Sequence, residues 1–208
     1  MNAGHNRLLR LKEETDAHGV EMVFDRGRFD TLRDNTSKPR AVAAFNLFQT
    51  PPEIADKMAG LLPDVGGERT ILEPSAGLGR LYTALRRAGH AGPIVLAEQS
   101  ADCCRELYTL TENDNAVILK QCDFLEMNTA ADAVIMNPPF KMGRDIKHIL
   151  HAFEMLKPGG VLVSLCYNGV RQNKKLKPLA DTWEVLPAGS FKSEGTAAEV
   201  ALITMIKN

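Results

Sequence analysis

The sequence predicts an α/β fold: a seven-stranded, mostly parallel sheet with helices on both faces and an antiparallel C-terminal strand. Three observations carry this. From about residue 68 onward, short apolar runs alternate with amphipathic stretches of about ten residues, the rhythm of parallel strands joined by crossover helices. The ends of the apolar runs carry glycines, prolines and single polar residues, which stop strands. The last two apolar runs are joined through Gly189 and Gly195 with no helical segment between them, which predicts an antiparallel hairpin.

The elements follow in order. Phe48-Gln49-Thr50-Pro51-Pro52-Glu53 predicts a helix start running to about Leu61. Thr50 is the expected N-cap, Pro51 the first helical residue and Glu53 the partner that completes a capping box. Such a helix start also offers N–H groups to a carboxylate. Thr70–Leu72 is the first strand, and Leu78 to Arg87 has helical spacing through Leu78, Leu81, Tyr82 and Leu85. Pro93–Ala97 is a second strand, followed by a helix from Ala101 to Leu110 with Ser100 as N-cap. Ala116–Leu119 and Ala133–Met136 are the third and fourth strands. Asp145 to Leu156 gathers Ile146, Ile149, Leu150 and Phe153 on one helical face, and Lys157-Pro158-Gly159-Gly160 ends it before a strand at Val161–Leu165. Trp183–Leu186 and Ala198–Ile206 form the closing pair.

Residues 1–47 stand apart as an N-terminal extension. Asn6 to Glu14 has helical character, residues 24–40 are polar without apolar periodicity, and the basic residues are nearly matched by acids. The 208-residue chain is 44% hydrophobic and 25% charged with net charge −1, which suits one globular domain and excludes a polycation. Cys103, Cys104, Cys122 and Cys166 form no Cys-x-x-Cys pair, and three lie in or beside apolar runs. They read as buried free thiols in a reducing cytosol, with neither a metal site nor a disulfide framework expected. No apolar stretch approaches the roughly 18 residues of a membrane span, so the expectation is a soluble, cytoplasmic protein.

Four strand ends carry chemistry. Glu73-Pro74-Ser75-Ala76-Gly77-Leu78-Gly79 joins the first strand to a helix, where glycines permit a sharp turn and close approach of a ligand. The third glycine of the dinucleotide fingerprint is absent, and Glu73 suits a ligand's ammonium group better than a pyrophosphate. Glu98 ends the second strand, where an acid can accept from both hydroxyls of a ribose. Asp123-Phe124 follows the third strand, a carboxylate for an amino group beside a ring that can cover a base or pack in the core. Asn137-Pro138-Pro139-Phe140 ends the fourth. Its two prolines make a rigid corner with an amide on one side and an aromatic ring on the other, suited to a planar amine.

Taken in this order, the motifs resemble those of S-adenosylmethionine-dependent methyltransferases that modify exocyclic amino groups. They are most similar to the DNA adenine-N6 enzymes whose cofactor-binding segment precedes the glycine-rich turn. The resemblance covers about residues 45–206 and implies a Rossmann-like methyltransferase domain over residues 48–208 with S-adenosylmethionine as cofactor. It also implies the site. Phe48, Thr50, Glu73, Ser75, Gly77, Gly79, Glu98, Asp123 and Phe124 would bind the cofactor. Within that set, Thr50 and the Gly77–Gly79 turn take the methionine end, Glu98 the ribose, and Asp123 with Phe124 the adenine. Asn137, Pro138 and Phe140 would be catalytic and hold the target base, with Pro139 and Lys141 beside it. One feature departs from the pattern: the DNA enzymes usually carry a separate target-recognition domain after the catalytic core. Sequence specificity is then relaxed, or supplied by the N-terminal extension, by a partner or by a second copy of the chain.

Residues 141–178 hold eight basic side chains against two acids, and Arg171, Lys174 and Lys175 follow the fifth strand in what reads as a basic loop suited to phosphate contacts. Nucleic acid, with DNA first, is the expected partner. RNA and protein glutamine remain alternative substrates of the same corner, and a non-catalytic cofactor-binding regulator is a third class.

Overall fold

In the computed structural model, residues 48–63, 67 and 69–208 are described; the expectations for residues 1–47 lie outside them. Among these residues the elements are α1 (Pro52–Leu61), β1 (Ile71–Pro74), α2 (Arg80–Arg87), β2 (Ile94–Glu98), α3 (Ala101–Leu110), β3 (Val117–Gln121), β4 (Ala131–Met136), α4 (Arg144–Met155), β5 (Leu156–Tyr167), α5 (Val170–Lys175), β6 (Thr182–Val185) and β7 (Val200–Ile206). The strands form one seven-stranded sheet in the order β3-β2-β1-β4-β5-β7-β6. β1 pairs parallel with β2 and β4, β2 with β3, and β4 with β5. β7 runs antiparallel to both of its neighbours, β5 and β6.

Parallel strands must bury both faces, because each crossover lays a helix on the sheet. Successive strand residues therefore divide between two cores. Ile71, Ile94, Leu96, Leu119 and Ile135 pack on one face with Met58 of α1, Leu85 of α2 and Leu107 of α3. Leu72, Val95, Ile118, Val134 and Met136 pack on the other with Ile149 and Ala152 of α4. The sequence-based elements are observed in the expected order with one helix, α5, added, and Ser100 caps α3 by accepting from the Cys103 N–H at 3.4 Å. No helix among the described residues is long and apolar enough to cross a membrane.

Three local expectations are corrected. The predicted capping box does not form. Pro51 is the N-cap of α1 and Pro52 its first residue, and no side chain caps the end. Pro52 suits the first helical position, since it has no N–H to satisfy and its φ is already helical. Thr50 is drawn inward, 2% exposed. Lys157–Gly160 is not a boundary before β5 but a loop-out inside it. The β4 register steps from Ala131↔Leu156 to Ala133↔Val161, so the strand starts at Leu156 and resumes at Val161. The basic loop after β5 is partly helical, as α5.

The turn between β1 and α2 rests on Gly79, at φ 78°. A Cβ there would lie 2.6 Å from Leu110 Cδ2 and 2.9 Å from Leu107 Cδ2, so α3 approaches the turn as closely as a bare Cα allows. Gly79→Ala is expected to lower the unfolding free energy by roughly 1–3 kcal/mol in chemical denaturation. A loss within error of zero would contradict this packing.

Candidate functional site

A cavity of about 930 Å³ opens at the carboxyl ends of β1, β2 and β4 and beside the turn after β3. It lies at the point where the strand order reverses, between β1 and β4. Crossovers there leave toward opposite faces and leave a crevice.

The β1 end supplies the deepest group. Glu73 is 2% exposed and its Oε2 has no hydrogen-bond partner. Burial pushes its carboxyl well above the ordinary range, opposed by the Tyr82 N–H at the start of α2 and reinforced by the nearby Glu98 charge. Ser75 then turns through a left-handed conformation, φ 60°, which costs energy for any residue but glycine. The Gly77 N–H donates to Glu98 Oε2 at 2.8 Å and the Ser100 N–H to Oε1 at 2.8 Å. One carboxylate at the β2 tip therefore holds the turn after β1 and the start of α3. Each of its oxygens keeps a lone pair for a further donor.

Asp123 caps the short 3₁₀ turn at Phe124–Glu126, accepting from the Leu125 N–H at 3.0 Å, and lies 3.9 Å from Arg144 Nη2. Phe124 lines the cavity yet is 3% exposed, its ring packed against His148 and His151 at 5.5 and 5.0 Å between centroids. The ring thus serves the core as well as the cavity wall.

The β4 end is the Asn137–Phe140 corner. Asn137 Nδ2 donates to the Phe48 carbonyl at 3.0 Å. A carbonyl only accepts, so this bond fixes the amide and leaves Oδ1 as the uncommitted acceptor. Among the described residues no backbone N–H donates to the Pro138 carbonyl. Phe140 is partly buried against the core, and Met142 beyond it is 87% exposed with a left-handed φ of 58°.

Of the sequence-predicted residues, Phe48, Thr50, Glu73, Ser75, Gly77, Glu98, Asp123, Phe124, Asn137, Pro138, Pro139, Phe140 and Lys141 all line this cavity. Gly79 does not; it sits beneath the turn against α3. Arg171, Lys174 and Lys175 lie outside the cavity, exposed on α5.

The cavity also takes in residues that sequence reasoning missed: Gln49, Arg80, Arg144, His148, Tyr167 and Thr196 among them. His148 is 3% exposed, and burial with the neighbouring Arg144 lowers its pKa to about 4, so the ring is neutral. Its Nδ1 lies 3.4 Å from Ser75 Oγ. Tyr167, at the end of β5, is half exposed on the rim. Gly169 lets its ring fold back, since a Cβ there would lie 2.7 Å from Tyr167 Cε1. The fully buried Asp145 accepts from the Tyr167 N–H at 3.0 Å and from Gln172 Nε2 at 2.9 Å, tying the start of α4 to the end of β5 and to α5. The available signal was the position of Tyr167 at the end of the fifth strand, three residues past Ser164, the partner of Met136.

The sheet order, its reversed seventh strand and the cavity at the switch point make this a Rossmann-like methyltransferase fold. The chain belongs to the methyltransferase small domain family, whose model matches residues 58–192. It is accordingly an S-adenosylmethionine-dependent methyltransferase. Solved structures agree on the fold. PH1948 from Pyrococcus horikoshii, provisionally an RNA methyltransferase, superposes with a TM-score of 0.66 at 20% identity, over 87% of this chain and 98% of that one. An RNA methyltransferase from Salinibacter ruber, bound to S-adenosyl-L-homocysteine, gives 0.53 at 19% identity over 76% and 92%. The geranyl diphosphate C-methyltransferase of Streptomyces coelicolor A3(2) gives 0.60 at 13% identity over 75% and 76%. No curated protein matches the chain by sequence.

Glu73 supports a stability test of its own. A carboxyl whose pKa is raised by folding destabilises the folded state above its unfolded pKa, because unfolding lets it ionise freely. Glu73→Gln is therefore expected to raise the melting temperature at neutral pH. The gain should shrink as pH falls through the raised native pKa and vanish below the ordinary carboxylate range. A lower melting temperature at neutral pH would contradict the burial of an unpaired acid.

Proposed function

We propose that this methyltransferase acts on the exocyclic amino group of a nucleobase in nucleic acid, with adenine N6 in DNA as the first substrate. The observation that carries the reading is the Asn137–Phe48 hydrogen bond, which presents Oδ1 of a fixed amide beside a free proline carbonyl and an aromatic ring.

The cavity residues fit the cofactor. Glu73 Oε2 is a buried acceptor without a donor, as an amino-acid ammonium group would require. Glu98 retains acceptor capacity for a ribose, Asp123 stands at the β3 end for an adenine amine, and Phe124 supplies an apolar wall. Ser75 and Gly77 shape the turn between them, and Phe48 and Thr50 close the cavity from the segment before α1. When bound, S-adenosylmethionine supplies a methyl group already activated for transfer, so no protein nucleophile is needed.

The chain's own residues have the remaining task, which is positioning. An aromatic amine is a weak nucleophile because its lone pair is delocalised into the ring. Asn137 Oδ1 and the Pro138 carbonyl accept its two N–H bonds, draw them out of the ring plane and stabilise the positive charge that develops on nitrogen. Phe140 offers a face to a base rotated out of its stack, a contact worth roughly 1–3 kcal/mol. Tyr167 stands on the same rim as a second ring. Pro139 keeps the corner rigid, while Lys141 at the mouth and Arg171, Lys174 and Lys175 on α5 provide cations for phosphates.

RNA is the second reading. It is favoured by the names of two structural relatives, from Pyrococcus horikoshii and Salinibacter ruber. The deciding experiment is incubation with methyl-labelled S-adenosylmethionine and, separately, duplex DNA, single-stranded DNA and RNA, followed by digestion to nucleosides. Label in N6-methyl-2′-deoxyadenosine from DNA is the expected result. Label in RNA alone moves the assignment to the second reading, and label in no nucleic acid contradicts both. Asn137→Ala is expected to reduce transfer about a hundred- to a thousandfold, the scale of losing one oriented transition-state hydrogen-bonding group, with affinity for S-adenosyl-L-homocysteine within about twofold of wild type. Wild-type turnover in that variant would remove the corner from the mechanism.

A further inference from the structure

The amino-acid end of S-adenosylmethionine carries a carboxylate as well as an ammonium group. The helix start expected to receive it is poorly suited to an anion. α1 opens with Pro51 and Pro52, the Ile54 and Ala55 N–H groups already donate to the Pro51 carbonyl at 3.0 and 2.9 Å, and the first turn carries the acid Glu53. A cation from elsewhere in the cavity is needed.

Lys141 and Arg144 follow the Asn137–Phe140 corner, and Arg144 faces Asp123. Arg80 is different. It lines the cavity at the first position of α2, partly buried, and among the described residues its one hydrogen bond is Nη2 donating to Gln49 Oε1 at 3.3 Å. Among the described residues no carboxylate pairs with it. Its position is unfavourable for the helix: a cation in the first turn opposes the helix dipole, and the first turn of α2 has no acid to offset it. A partly buried guanidinium with an unfilled fork, placed where the local electrostatics disfavour it, is what a site for a bound anion looks like before the anion arrives. Glu73 approaches the same helix end through the Tyr82 N–H and leaves Oε2 open.

We infer that Arg80, with Gln49 beside it, is the carboxylate subsite for the methionine end of the cofactor, and that Arg80 and Glu73 together read its zwitterion. Arg80 sets cofactor selectivity through one ligand group. The consequence reaches the target corner. Gln49 is the neighbour of Phe48, whose carbonyl holds Asn137, so the segment that meets the carboxylate also holds the amide that meets the base.

The test isolates that one group. S-Adenosyl-L-homocysteine and its decarboxylated analogue, S-adenosyl-3-thiopropylamine, differ only in the carboxylate and share the amine. Isothermal titration of wild type is expected to show at least about a tenfold preference for S-adenosyl-L-homocysteine, a scale set by one charge-assisted bidentate contact. Arg80→Met keeps the apolar stem and is expected to lose that preference by weakening S-adenosyl-L-homocysteine alone, while Arg80→Lys retains part of it. Removing the cation from the helix start leaves the melting temperature unchanged or raises it. No preference in wild type overturns the inference. So does a preference that survives in Arg80→Met, or equal weakening of both ligands. Both measurements are independent of the polymer substrate, so they stand or fall apart from the nucleobase proposal.

Discussion

The Glu98 carboxylate at the tip of β2 holds the site together. One oxygen takes the Gly77 N–H of the turn after β1, and the other takes the Ser100 N–H at the cap of α3. The turn after β1, 21 residues earlier in the chain, thereby meets the junction of β2 and α3 at this one group. The parallel pairing of β1 with β2 brings the strand tips level, Glu73 with Leu96 and Pro74 with Ala97, so that a side chain one residue beyond can reach across. The reversal of strand order at β1 and β4 then keeps a crevice open beside this tie. The Ala76 N–H adds a second tie across the same strands, donating to the Ala97 carbonyl at 2.9 Å. Held by both, the turn forms one wall of the cavity.

The local costs in this structure collect around that wall. Glu73 is a buried acid with an unpaired oxygen, Ser75 and Met142 are the two non-glycine residues with left-handed backbones among the described residues, and Arg80 is a cation at the positive end of a helix. Each carries a local cost. A protein optimised for stability alone would replace all four. Their convergence on one cavity is the pattern expected where binding and chemistry are selected against stability.

Most of the fold was legible because its signals are local. Buried parallel strands such as Val134–Met136 announce themselves as apolar runs, and Ser100 caps α3 where a serine before a helical pattern should. The place of the strand-tip residues at the cavity was legible for the same reason: it depends on where a strand ends. What was missed depends on contacts far apart in sequence. α5 is six residues without apolar periodicity, and Gln172 is held by Asp145 across a gap of 27 residues. Tyr167, His148 and Arg80 join the cavity only because the sheet order brings three strand ends together. The capping box failed on a closer competition. Thr50-Pro51-Pro52-Glu53 contains two residues able to start a helix, and the second proline took the first helical position, leaving Thr50 to the cavity.

The central claim is that a target amine is received by the Asn137–Phe140 corner at the mouth of a cofactor-filled cavity. The most direct measurement is a crystal structure of the protein with S-adenosyl-L-homocysteine and an adenine-containing oligonucleotide. The account predicts the adenine amino nitrogen within hydrogen-bonding distance of both Asn137 Oδ1 and the Pro138 carbonyl, with Phe140 against the base and the Asn137–Phe48 bond retained. A base bound away from this corner, or an Asn137 amide turned to present Nδ2 to the base, would contradict it.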